Sequence, residues 1–213
     1  MPEMSNIIIQ STNWDQINTR WKTEEDNERW RSTYESSGFS NWDDWRYSIM
    51  RVLNLDKREW QLETPENPTQ RASDMYCNAL TVWNKFYDDR SRSTFKDVIH
   101  HPTVANNKRI LEMRTNFPSH TQCISLRLGN REIAVDGHHR VSALAGFSDH
   151  EALSQHQVSF AVSDFTPEEG YQFEKIWSGN SELKIMRAAF HIYGLIKSQR
   201  LKQFQLLKSR SNR

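Results

Sequence analysis

The chain has 213 residues, a net charge of +1, 36% hydrophobic and 26% charged residues, and a mean hydropathy of −0.83. That length suits one domain with an elaboration, and no apolar run approaches the ~20 residues of a membrane-spanning helix, so a soluble chain with no membrane partner is expected. A near-neutral balance also excludes a strong whole-molecule field for nucleic acid.

The first residues, through Ser11, carry a short apolar patch with no basic n-region, which does not read as a secretory signal. The two cysteines, Cys77 and Cys123, lie far apart in no metal-type spacing. They point to a reducing, cytoplasmic compartment rather than a disulfide scaffold. All of the eight tryptophans except Trp177 fall at or before residue 83, which sets much aromatic surface in the N-terminal half.

Residues 1–95 read as a helical, tryptophan-rich region. Thr12 with Asp15, and Ser40 with Asp43, match the capping pattern of a helix start. Trp42, Trp45, Ile49, Val52 and Leu53 then form a helical apolar stripe. The tryptophans read as core by this spacing, with a nucleobase-stacking platform as the alternative. Pro65 and Pro68 mark an extended connector. Met75, Leu80, Trp83, Phe86 and Tyr87 follow at mixed helical spacing.

The pattern changes after residue 95, and residues 96–213 read as a second region. Ile124, Leu126 and Leu128 alternate with polar residues as in a strand, Gly129-Asn130 signals a hairpin, and Ile133-Ala134-Val135 reads as a short central return strand. A short helix follows from Val141 to Ala145, stopped by Gly146. Val158, Phe160 and Val162 give a third strand. Thr166-Pro167-Glu168-Glu169 is a helix start, and residues 182 to about 208 read as a final helix. Residues 197–213 form a basic tail with no acid, a candidate nucleic-acid contact. The fold class expected is α/β (α+β): a small mixed sheet with a helical N-terminal region and C-terminal helices.

Between the return strand and the short helix stand Asp136, Gly137, His138, His139 and Arg140. A helix start carries partial positive charge and unpaired N–H groups, glycine lets a ligand approach the backbone, and such corners bind phosphate. Two histidines and an arginine there conflict with the helix dipole, and an anion removes the conflict. Arg140 would grip phosphate oxygens as a fork, His138 or His139 would donate a hydrogen bond or a proton, and Asp136 would orient a histidine, hold Mg²⁺ or accept a proton. The plain alternative is that Asp136 caps the helix and the cations are solvated or paired. His100-His101 with the corner histidines lack zinc spacing.

The segment Ile-Ala-Val-Asp-Gly-His-His-Arg-Val-Ser-Ala-Leu, residues 133–144, resembles the signature corner of the ParB/sulfiredoxin superfamily, which includes ParB partition proteins, sulfiredoxins, ParB-like nucleases and archaeal free-serine kinases. The resemblance covers residues 95–165 and implies a ParB/sulfiredoxin-type sheet and nucleotide binding. It places Gly137, His139 and Arg140 on phosphate. His138 stands where sulfiredoxins carry their cysteine, which argues against sulfinic-acid reduction. Asp-Gly-His is closer to the serine-kinase version, which implies phosphoryl-transfer roles for Asp136 and His138, while His139 matches the sulfiredoxin histidine and would join His138 in stabilising developing charge. It also implies an upstream base, for which Asp97 and Glu112 are the candidates. Asn67-Pro68-Thr69-Gln70-Arg71 resembles the partition proteins' upstream box but lies far from the corner in sequence. The function expected is an ATP (or other nucleoside triphosphate) and Mg²⁺-dependent phosphotransferase or nucleotide hydrolase acting on an acceptor that the sequence does not specify. The alternatives are a ParB-like nuclease or DNA-binding regulator, and a nucleotide-sensing protein without turnover.

Overall fold

The computed structural model describes residues 7–25, 27–77, 93–147 and 153–177. It is a mixed α+β chain with a five-stranded sheet. The strands are β1 (Ile7–Thr12), β2 (Trp60–Pro65), β3 (His120–Leu128), β4 (Arg131–Asp136) and β5 (Gln157–Asp164), in the order β1-β2-β5-β3-β4. Only β3 and β5 run parallel among these pairs; the rest are antiparallel.

The hairpin of β3 and β4 forms as its turn chemistry predicts, with Gly129 at φ +61. Two expectations change. Residues 1–95 are not wholly helical, because β1 and β2 pair with each other and β2 joins β5. The return strand β4 is not central but lies at the end of the order. It is nevertheless buried, because Tyr76 bridges to Ile133: the Tyr76 N–H donates to the Glu132 carbonyl at 2.7 Å and the Tyr76 carbonyl accepts from Ala134 at 2.8 Å. Backbone outside any named strand thus supplies the missing ladder partners.

The helices of the sheet unit are α4 (Pro68–Asp74), α5 (Phe95–Val98), α6 (Pro102–Ala105), α7 (Lys108–Thr115), α8 (His138–Ala145) and α9 (Pro167–Trp177), those numbers following three helices in residues 14–52. Asn67 caps α4, accepting from the Gln70 N–H, with Pro68 in the first turn. The capping box expected at α9 is present, Thr166 and Glu169 exchanging bonds at 3.0 and 3.3 Å. One core cluster joins Phe160, Val158 and Cys123 of the sheet to Ala72, Phe95, Val98, Ile110, Val141 and Leu144 of the helices. Helix α8 is buried along its length, which its small residues permit.

A second compact unit contains Trp14–Arg58, with α1 (Trp14–Glu25), α2 (Glu28–Ser36) and α3 (Trp42–Val52). It falls in sequence between the paired strands β1 and β2. Helix α1 buries Trp14, Ile17, Trp21 and Glu25, an i, i+3, i+7, i+11 stripe. The cap of α3 is Asn41 rather than Ser40: its Oδ1 accepts from the Asp44 N–H at 2.8 Å. Trp21 and Trp42 are fully buried and meet edge to face at 5.0 Å, as the core reading expects. The apolar run at residues 80–87, the expected helix at 182–208 and the basic tail lie outside the described residues, except that Met75 follows the end of α4.

Candidate functional site

Strand β4 delivers the corner through a bulge. Ser125 pairs with Ala134, but Ile124 pairs with Asp136, so Val135 is the extra residue. Unbroken pairing would set Asp136 opposite Cys123; the bulge re-aims it. Gly137 follows at φ 83, ψ 21 and opens α8 with no side-chain cap. A β-carbon at Gly137 would stand 3.1 Å from Arg140 Nε and 3.3 Å from Nη2. Glycine is therefore required twice, for its left-handed backbone and for the guanidinium folded against it. Gly137→Ala is expected to destabilise the protein by about 1–3 kcal/mol, read by urea denaturation; an unchanged midpoint would show that the corner relaxes freely.

Asp136 and Arg140 are buried, and Arg140 Nη2 donates to Asp136 Oδ2 at 2.8 Å. His138 is also buried, its ring 5.8 Å from that of Phe95 on α5. His139 is half-buried, which makes it the more open of the two imidazoles. The sequence-predicted residues 136–140 are thus assembled on one strand-to-helix turn. The two candidate bases are not in equivalent places. Asp97 is exposed on α5, beside the helix turn whose Phe95 meets His138, and its carboxylate accepts from Thr94 N–H at 3.1 Å and Thr94 Oγ1 at 2.9 Å as a helix cap. Glu112 is exposed on α7, 3.9 Å from Lys108. The same helix sends Arg114 to the Gly146 carbonyl, at the end of α8 away from the corner. Glu112 also lines a shallow surface concavity of about 510 Å³ with Asn106 and Leu111.

Asp136 is the carboxylate that the corner would offer a Mg²⁺ ion. It already accepts from Arg140, and among the described residues no three His, Cys, Asp or Glu side chains converge. Mg²⁺ usually binds through one or two carboxylates together with substrate phosphates.

A charged cluster that the sequence did not reveal lies over the same sheet. Arg71 of α4 forks onto Glu132 of β4, Nε to Oε2 at 3.1 Å and Nη2 to Oε1 at 2.9 Å. Its Nη2 also stands 2.9 Å from Glu63 of β2. Arg127 of β3 donates to Glu63 at 2.6 Å, and Ser125 donates to Glu132 at 2.6 Å. The Arg71 guanidinium sits 4.4 Å above the Phe160 ring. Burial works to lower the Arg127 pKa, but Glu63 first, then Glu132 and Asp164, outweigh it and raise it. Arg71 belongs to the segment 67–71, and α4, which carries it, packs against α8. Glu63 is a charged residue at a buried strand position, and only the pairing of β2 with β5 makes that visible. No family model, curated protein or solved structure matches the chain.

Proposed function

We propose that the corner at residues 136–140 binds the phosphates of a nucleoside triphosphate and carries out phosphoryl transfer or hydrolysis, on a sheet of the ParB/sulfiredoxin type that its sequence resembles. The observation that carries this reading is Gly137: it opens α8 with backbone alone, and the Arg140 fork is folded against it. In the free protein Asp136 holds Arg140 in place. A phosphate, with more charge and more acceptor oxygens than one carboxylate, competes for that fork. Arg140 then turns to the ligand, and Asp136 becomes available to accept a proton from an attacking hydroxyl or water. His139, the more open imidazole, contacts the phosphate, while His138, packed on Phe95, sets the helix start. Mg²⁺ enters as part of the nucleotide complex rather than as a resident ion.

The test is a thermal-shift screen of ATP, ADP, CTP and GTP with Mg²⁺. At a hundredfold excess over Kd, binding stabilises by about 2.7 kcal/mol, several degrees for a chain of this size. Arg140→Lys, which keeps the charge and loses the fork, is expected to remove most of the shift. If no nucleotide raises Tm the proposal fails, and a shift that survives Arg140→Lys and Gly137→Ala places the ligand elsewhere. Product analysis then separates turnover from binding. Release of cleaved DNA instead of a phosphorylated product would favour the nuclease alternative.

A further inference from the structure

Strand β1 ends the sheet, and no strand flanks its outer edge among the described residues. Its sequence is Ile-Ile-Ile-Gln-Ser-Thr. Ile7, Ile8 and Ile9 are 41%, 63% and 58% exposed, the largest such run among the exposed apolar residues. Edge strands are ordinarily blunted by lysine, proline or an inward charge, because a bare row of N–H and C=O groups recruits another strand. Residues 7–12 contain no charge and no proline. We propose that this edge is the contact through which two copies of the chain associate, residues 7–9 of β1 pairing antiparallel with residues 7–9 of a second copy across a two-fold axis.

Three features select this occupant. Ile7 and Ile9 share the face of Glu63 and Pro65, while Ile8 lies on the opposite face with Thr64. A helix or a flat surface docked on one face would leave isoleucine exposed on the other; an added strand brings neighbours to both. The triplet is also its own complement. Turned antiparallel about Ile8, it sets Ile8 opposite Ile8 on one face, and Ile7 opposite Ile9 and Ile9 opposite Ile7 on the other. Self-pairing normally penalises charged strands by setting like charges opposite each other, and a strand with no charge escapes that penalty. An isologous contact of this kind closes after two copies. A single strand edge buries less than the roughly 1,000 Å² of a tight interface, so the dimer dissociates on dilution.

Sedimentation of the full chain at rising concentration tests this. A concentration-dependent monomer–dimer equilibrium is expected. Ile8→Lys sets two ammonium groups against each other at the axis and is expected to raise the dissociation constant roughly tenfold or more. Its melting temperature, extrapolated to the monomer, should stay within about a degree of wild type, as for an exposed substitution. Ile8→Cys is expected to cross-link between copies under mild oxidation, whereas the wild type, whose Cys77 and Cys123 are buried, does not. A chain that stays monomeric to about 1 mM leaves the edge to a partner of different sequence and overturns the proposal. So does a dimer that Ile8→Lys leaves intact, or one in which Ile8→Cys fails to cross-link.

Discussion

Replacing Arg46 by alanine is expected to lower the unfolding free energy by about 3–5 kcal/mol, the cost of leaving a buried charge uncompensated. Arg46 donates from Nε at 2.9 Å and from Nη2 at 2.5 Å to Glu25 Oε2. The two side chains are 12% and 8% exposed. Trp42 Nε1 donates to the same oxygen at 3.2 Å. The guanidinium carbon lies 3.9 Å from the Trp45 ring centroid, 5.2 Å from Trp21 and 5.8 Å from Trp30. A desolvated contact of this kind is worth about 2 kcal/mol or more. Removing the guanidinium takes from Glu25 the cation it is paired with and empties the space between the rings. Urea denaturation followed by tryptophan fluorescence reads this directly, since the flanking rings are the reporters. Arg46→Ala with Glu25→Gln is expected to be less destabilised than Arg46→Ala alone. A single-variant loss below about 1 kcal/mol would show that water reaches Glu25 and that the pair is a surface contact.

The second large effect is expected at Arg71. Arg71→Met keeps an apolar stem over Phe160 while removing the charge that Glu132 and Glu63 share. The cluster of Arg71, Arg127, Glu63 and Glu132 is balanced, two charges of each sign, and Arg71→Met leaves it at −1. Glu63 retains its ion pair with Arg127, whereas Glu132 keeps the Ser125 hydroxyl and the more distant attraction of Arg127. Glu63 is 2% exposed at its side chain and Glu132 16%, so a loss of about 3–5 kcal/mol is expected. Arg127→Met should cost clearly less, because its side chain is 33% exposed and its attraction to Glu63 is screened. Pairing Arg71→Met with Glu132→Gln should recover part of the loss, which a double-mutant cycle measures. If the order of the two arginines is reversed, Arg71 is not the centre of this cluster.

The legible parts of the fold share one property: their cause lies within a few residues. The turn of β3 into β4 follows from Gly129, the start of α9 from Thr166 and Glu169, and the end of α8 from Gly146. The corner was legible for the same reason, since strand, glycine and cations are contiguous. Strands β1 and β2 were missed because their pairing is with each other across more than forty intervening residues, and neither Ile-Ile-Ile-Gln-Ser-Thr nor Trp-Gln-Leu-Glu-Thr-Pro has a decisive period. The placing of β4 at the sheet's end was misjudged because an apolar run signals burial, and burial here comes from Tyr76 and the helices rather than from a strand on each side.

Arg71 and Glu132 are 61 positions apart, and Arg127 and Glu63 are 64 apart. No spacing rule connects such residues; only the sheet order does. Asp136 is the intermediate case. Its neighbours in sequence identified the corner, and its ion pair with Arg140 is four residues away on the same turn, but the bulge that aims it depends on β3. The sequence by itself determined the local chemistry: a glycine where a left-handed residue is needed, cations on a helix start, tryptophans at helical spacing, a hairpin turn. Tertiary structure alone decided which strand lies at an edge, which charges share a buried cluster, and that Arg46 rests among three tryptophans. Local chemistry follows from backbone dihedrals and near neighbours, whereas burial and charge pairing follow from contacts that exist only once the chain has closed on itself.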